Sequence, residues 1–210
     1  MMSKEQSRYI AIEGNIGAGK TTLAKLLSRK WNATLYLEEF EKNDFLPKFY
    51  KDTERYAFSV ELSFLADRFH QLKKIVNEEG WVVSDYYIQK SLIFARHNLE
   101  PDEFELFYRL YDIMFEKLRK PDLLIYLDAG IDRIRKQITQ RGRIYERHIP
   151  EEYLKGIHDE YMGYIKSQKS LPVLRIDVGQ IDFVSDPEHF RLVSQAITTD
   201  YSPGLHDLSE

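Results

Sequence analysis

Two rhythms of apolar and polar positions alternate along the chain. Short apolar runs recur at Tyr9-Ile10-Ala11-Ile12, Ala33-Thr34-Leu35-Tyr36-Leu37, Trp81-Val82-Val83-Ser84, Leu123-Leu124-Ile125-Tyr126-Leu127 and Val173-Leu174-Arg175-Ile176-Asp177-Val178. Each has the length of a buried strand. The fourth, with no polar residue in it, predicts a central strand of a parallel sheet, covered on both faces. Between these runs the apolar period changes to that of a helix. Leu23, Leu26 and Leu27 share one face, and Phe58, Leu62, Leu65, Phe69, Leu72 and Val76 step by four and three, predicting a long helix from about Thr53 to Asn77. Helix also continues through Leu92-Ile93-Phe94-Ala95. Further helices are predicted from Pro101-Asp102-Glu103 onward, over Ile131 to Gln140, from Pro150 to about Ser167, and over Pro187 to Ile197. Phe40 to Lys51, holding Pro47, reads as a loop. Thr198 to Glu210 is polar, contains Ser202-Pro203-Gly204, and reads as a flexible tail. Strands alternating with helices predict a doubly wound α/β fold, with a parallel five-stranded sheet in a single domain of residues 1–197 and a tail of 198–210.

In such sheets ligands bind at the carboxyl ends of strands. One motif falls there. Gly14-Asn15-Ile16-Gly17-Ala18-Gly19-Lys20-Thr21 has the spacing G-x-x-x-x-G-K-[ST], between the first strand and the first helix. Glycines let the backbone approach phosphates, successive N–H groups turn inward, and the helix dipole adds positive charge. Lys20 is placed to reach β- and γ-phosphates, and the Thr21 hydroxyl to ligate Mg²⁺. Residues 14–22, through Thr22, are therefore the expected segment that binds a nucleoside triphosphate in a P-loop NTPase-type fold.

Glu38 and Glu39 end the second strand, and alternation lets one of them face the site, where a carboxylate could accept a proton from a hydroxyl. Asp85 ends the third strand and could hold Mg²⁺ or cap the next helix. Glu61 and Arg68 lie seven residues apart on one face of the long helix, bordering its apolar stripe. Arg141, Arg143 and Arg147 surround Glu146 in a short stretch that could close over phosphates.

Composition narrows the class. The chain of 210 residues carries 30 Lys+Arg against 34 Asp+Glu, net −4, so a nucleic-acid partner is disfavoured. With no cysteine, thiolate metal sites and cysteine nucleophiles are excluded, and a reducing cytoplasm is compatible. The first eight residues lack the apolar core of a signal peptide, and no apolar run approaches transmembrane length.

Taken together, residues 8–178 resemble the deoxyribonucleoside kinase family in its bacterial branch, which includes deoxyguanosine and deoxyadenosine kinases. The opening Ile12-Glu13-Gly14-Asn15-Ile16-Gly17-Ala18-Gly19-Lys20, the stretch Phe49-Tyr50-Lys51-Asp52, and Arg141-Gly142-Arg143 with Glu146, Ile149-Pro150, Glu152, Tyr153 and Leu154 carry that resemblance. It implies Glu38 as base, in a segment where Glu39 takes the family's proline position. It implies Tyr50 and Glu146 on the sugar 3′-hydroxyl, and Arg141 and Arg143 on phosphates in an arginine-rich lid. Arg68 would lie near base and carboxylate, and Val60, Asp85 and Phe94 would join the substrate-binding set. A homodimer is implied as well.

There are two departures. Asp85-Tyr86-Tyr87 stands where the family has Asp/Glu-Arg-Ser, so Lys90, Arg96 or a lid arginine would have to replace the missing cation. Glu61 stands where the family has a base-reading glutamine. An ionised carboxylate accepts without donating and suits guanine N1–H and N2–H₂, particularly if Arg68 keeps it charged. The expected activity is transfer of the ATP γ-phosphate to the 5′-hydroxyl of a purine deoxynucleoside, deoxyguanosine before deoxyadenosine. A nucleoside monophosphate kinase such as thymidylate kinase, or a nucleotide-dependent switch or ATPase, are the rival expectations.

Overall fold

The computed structural model of the chain describes residues 7–146 and 149–208; Arg147, counted above among the lid arginines, lies outside the described residues. The strands are β1 (Arg8–Gly14), β2 (Thr34–Tyr36), β3 (Trp81–Ser84), β4 (Leu123–Asp128), β5 (Pro172–Asp177) and β6 (Gly204–Asp207). The helices are α1 (Lys20–Trp31), α2 (Leu46–Phe49), α3 (Thr53–Leu72), α4 (Gln89–Asn98), α5 (Pro101–Phe115), α6 (Ile131–Arg141), α7 (Glu151–Lys166) and α8 (Pro187–Thr198). Among the described residues the sheet has six strands, ordered β2-β3-β1-β4-β5-β6, and every pairing is parallel.

Period-two alternation assigns each strand residue to one of two apolar layers. Tyr9 and Ala11 of β1 pack with Val82, Leu124 and Tyr126 against α3, α4, α5 and α7. Ile10 and Ile12 pack with Val83, Leu123, Ile125 and Leu127 against α1, α6 and α8. Both faces being covered is why the run Leu123–Leu127 carries no polar residue.

Three expectations change. The sheet has six strands rather than five: Gly204–Asp207, read as flexible tail, pairs with β5 from Pro172↔Gly204 to Arg175↔Asp207. Ser202-Pro203-Gly204 signals a turn that leads into this edge strand, and the Arg175 guanidinium donates to Asp207 at 2.6 Å across the pair. The long helix ends at Leu72 and tightens into a 3₁₀ segment over Lys73–Asn77. The loop between β2 and α3 holds a 3₁₀ turn over Phe40–Lys42 and the short α2, which buries Phe49 against Ala57 and Val60.

Because β1 lies between β3 and β4, the segments leaving β1 and β3 emerge side by side, with that of β2 next to them. The glycine loop, Asp85 and Glu38 therefore converge at one end of the sheet.

Candidate active site

The site is a cavity of about 810 Å³, including space open to solvent, and it has two ends. At one end β1 runs directly into the glycine loop. A Cβ at Gly14 would lie 2.7 Å from the Leu127 carbonyl oxygen, so the strand pair leaves no room for a side chain. Gly19 sits at φ +99°, a left-handed conformation suited to glycine, immediately before α1. Lys20 and Thr21 thus occupy the first turn of α1 facing the cavity. Lys20 Nζ donates to the carbonyls of Gly14 and Asn15, each at 2.8 Å. Burial lowers its pKa to about 8, an effect the Lys90 ammonium reinforces and Glu13, Glu38 and Asp85 oppose. Thr21 Oγ1 donates to Asp85 Oδ2 at 2.6 Å, and the Glu38 backbone N–H donates to Asp85 Oδ1 at 2.8 Å. Asp85 is therefore tied to both α1 and the segment after β2; α4 begins only at Gln89, so it does not cap that helix. Burial raises its pKa.

Of the other loop residues, Ile16 and Gly17 line the cavity, Gly14, Asn15 and Ala18 are buried, Gly19 is half-buried and Thr22 is exposed. The Asn15 side chain fastens the loop to α7: its Nδ2 donates to the Leu154 carbonyl at 2.7 Å while its Oδ1 accepts from the Ile16 N–H.

Glu38 marks the middle of the cavity. Its Oε1 accepts from Arg68 Nε at 2.8 Å and Nη2 at 2.6 Å, and its Oε2 accepts from Lys90 Nζ at 2.5 Å. Burial works to raise its pKa, but the Lys90 ammonium and the Arg68 guanidinium outweigh it and hold the carboxyl well below the usual carboxylate range. Glu39 points elsewhere and pairs with Lys42 at the surface, 2.7 Å away.

The far end is lined by Val60, Glu61, Phe94 and Tyr153, with Tyr50, Arg141, Arg143 and Glu146 on a further wall. Arg143 Nη1 donates to Glu146 Oε1 at 2.8 Å, Arg141 Nη1 lies 3.5 Å from the same oxygen, and the Arg143 guanidinium sits 3.7 Å over the Phe40 ring. Tyr50 stacks on Tyr145. Glu61 Oε1 accepts from Asn98 Nδ2 at 2.7 Å, whereas its Oε2 is buried with no hydrogen-bond partner among the described residues. Burial pushes the Glu61 pKa up to about 7, against Arg68 and the Asn98 hydrogen bond. The expectation that Arg68 keeps Glu61 charged is corrected here: that guanidinium binds Glu38 and the Ser91 hydroxyl, and its remaining influence on Glu61 is weaker than desolvation.

Four more residues are assembled here, and of these only Lys90 had a candidate role from sequence. Lys90 was one of three alternatives for the missing cation; Arg96 is largely exposed and 4.0 Å from Glu160, and Arg141 and Arg143 are engaged with Glu146. Asn98 approaches from α4 with no local signal, and Tyr153 from α7, within the stretch that carries the resemblance. Glu13 is buried directly behind the glycine loop, accepting from the Tyr87 N–H and the Tyr161 hydroxyl, each at 2.7 Å. Burial raises its pKa. Its sequence signals were a carboxylate closing the apolar run Tyr9–Ile12 and its place in the opening that carries the resemblance.

With this geometry in place, the chain compares with known proteins as follows. The family model for deoxynucleoside kinases matches residues 10–201. A deoxyguanosine kinase of Bacillus subtilis is 35% identical over 194 residues, covering 89% of this chain and 94% of that protein. A deoxyadenosine/deoxycytidine kinase of the same organism is 33% identical, covering 86% of this chain and 87% of that protein. The fold matches that of deoxyadenosine kinase from M. mycoides with bound dATP at a TM-score of 0.80 and 24% identity, covering 91% of this chain and all of that one.

Proposed function

The chain belongs to the deoxynucleoside kinase family, and from that premise we propose that it transfers the γ-phosphoryl group of ATP to the 5′-hydroxyl of a purine deoxynucleoside, deoxyguanosine before deoxyadenosine. The observation that carries this reading is Glu38, an ionised carboxylate fixed between two cations in the same cavity as Lys20, Thr21 and Asp85.

Phosphoryl transfer asks the protein chiefly for positioning and charge stabilisation. The glycine loop and Lys20 take the donor phosphates. Thr21 and Asp85 offer hard oxygen donors already joined by a hydrogen bond, a set that suits Mg²⁺. Mg²⁺ held by these two oxygens would supply positive charge that offsets the charge of the triphosphate. Glu38 accepts the proton of the 5′-hydroxyl as the new O–P bond forms and ADP leaves with the electron pair of the broken bond. Its low basicity suits a loose transition state, in which orienting the hydroxyl matters more than early deprotonation. Arg141 and Arg143 act as the lid over the transferring group, and Tyr50 with Glu146 takes the sugar 3′-hydroxyl. Glu61 reads the base, its unpartnered Oε2 accepting from guanine. The product, a deoxynucleoside monophosphate, fits nucleotide salvage. The exposed apolar residues Leu106 and Ile113 of α5 suit contact with a second copy in a homodimer.

Assaying the four deoxynucleosides with ATP and Mg²⁺, and measuring monophosphate formation, tests this. Deoxyguanosine should give the highest kcat/KM. Turnover of dTMP with none of any deoxynucleoside would transfer the chain to the nucleoside monophosphate kinases. ATP hydrolysis needing no acceptor would support a switch or ATPase.

A further inference from the structure

Glu38 has two oxygens and, when ionised, about four lone-pair directions. Arg68 takes two of them on Oε1, through Nε and Nη2, and Lys90 takes one on Oε2. The direction that remains is on Oε2, beside the Lys90 ammonium. A hydroxyl that gives its proton to Glu38 must therefore sit next to Lys90. The lysine is not a surface residue borrowed for the contact. It is 8% exposed, is held in the first turn of α4, and lines the cavity together with Lys20, Thr21 and Asp85.

Its neighbours exclude the obvious substitutes. Tyr86, in the segment leading from β3 to α4, is fully buried and its hydroxyl donates to Gln71. Tyr87 is buried too, and its N–H is spent on Glu13. Neither can bring a positive charge to the cavity. Arg68 stays at the other oxygen, with its third nitrogen on the Ser91 hydroxyl at 2.8 Å.

We propose that Lys90 is a positioning residue of the phosphoryl transfer: it restricts the free lone pair of Glu38 to one direction, so that the acceptor hydroxyl is bound at Oε2, and it sets a fixed ammonium beside the oxygen that becomes bonded to phosphorus. This rests on Glu38 being the carboxylate that receives the hydroxyl. In the step itself the hydroxyl proton moves to Oε2, the O–P bond forms, and the bond to the β-phosphate oxygen breaks. Lys90 keeps its protons throughout. A lysine suits this task better than the forked guanidinium would, because a compact ammonium occupies one direction and leaves the adjacent one open.

The test compares Lys90→Gln, Lys90→Arg and Glu38→Gln with the unaltered enzyme, measuring kcat and the KM of the deoxynucleoside separately, with far-UV circular dichroism and thermal midpoint beside them. For Lys90→Gln we expect kcat to fall by about 10²-fold or more, with KM changed less than about threefold, since the loss belongs to the transition state. Lys90→Arg keeps the charge but adds a second fork, and should recover about tenfold of the loss without restoring it fully. A Lys90→Gln enzyme within about threefold of the normal kcat would overturn the proposal, as would equal losses in kcat for Gln and Arg. If Lys90→Gln does not fold, Lys90→Arg decides by itself: normal kcat in a folded Arg variant contradicts the one-direction argument, and reduced kcat with unchanged KM supports it. A fully active Glu38→Gln enzyme would instead remove the premise about Glu38, whatever the lysine variants show.

Discussion

The two ends of the cavity are made differently. The phosphate end is one continuous segment, residues 14–21, with Asp85 beside it, and its shape is set by backbone: Gly14 against the Leu127 carbonyl, Gly19 in a left-handed conformation, and Lys20 within 2.8 Å of two loop carbonyls. The acceptor end is a meeting of side chains from separate elements. Glu38 follows β2, Glu61 and Arg68 come from α3, Lys90 and Asn98 from α4, and Tyr153 from α7. A donor that is always the same triphosphate can be held by main chain, which does not vary with side-chain identity. On the proposed reading, an acceptor whose base differs in the names of the relatives would be read by side chains that can change singly. The contrast predicts that damage at the phosphate end is large and blind to the base, whereas damage at the far end is smaller and changes the ranking of substrates.

The largest effect should come from Lys20→Ala. On the proposed role, in which its ammonium contributes charge to the transferring group, kcat should fall about 10³-fold or more while the protein stays folded and the ranking of the four deoxynucleosides is kept. Single-turnover rates with each deoxynucleoside measure this. Near-normal kcat would contradict the role of the loop, and an altered ranking would break the division between the two ends.

Glu38→Gln comes next, at the boundary. We expect kcat to fall by roughly 10²- to 10⁴-fold with modest change in nucleoside affinity, as for a lost general base. Glu39→Gln should stay near normal, because that side chain pairs with Lys42 at the surface. If Glu39 proves the sensitive residue, the functional carboxylate has been misassigned by one position.

The same division decides how much could be read from sequence. The phosphate end was legible because it is local: the glycine spacing, the apolar strand before it and the helix after it are adjacent in the chain. The fold was legible for a related reason, since period two and period 3.6 alternate cleanly from Tyr9 to Ile197. β6 was missed because an edge strand four residues long, pairing on one side, needs no marked apolar pattern. Glu38 and Glu61 could be nominated from the resemblance, yet their state could not. That Arg68 serves Glu38 and leaves Glu61 to desolvation depends on how α3 lies against the segment after β2 and against α4. Nothing within the local sequence of either helix encodes that contact. Asn98 was invisible for the same reason, being 37 residues from the carboxylate it fixes.

The smallest expected effect is at Glu61, and it is one of preference. Burial raises its pKa from 4.5 to about 7. Asn98 donates to Oε1 and so keeps that oxygen an acceptor; the proton, when present, belongs on the unpartnered Oε2. Above pH 7 the carboxylate is mainly ionised and Oε2 accepts, which suits guanine N1–H. Below pH 7 it is mainly protonated and Oε2 donates, which suits adenine N1. kcat/KM for deoxyguanosine should therefore rise with pH through about 7, and that for deoxyadenosine should fall, relative to the common pH dependence of transfer itself. Between pH 6 and pH 8 the ratio of the two should move by up to about a hundredfold towards deoxyguanosine, since each unit of pH changes the ratio of ionised to protonated form about tenfold. Glu61→Gln has the same shape, cannot titrate, and presents both a donor and an acceptor. Its ratio should be flat over that range and lie closer to deoxyadenosine. Taking the ratio at each pH cancels any titration of Glu38, Lys20 or the triphosphate, because those groups serve both substrates equally. Parallel pH profiles for the two purines in the unaltered enzyme would show that Glu61 does not read the base, and the far end of the cavity would then owe its preference to shape alone.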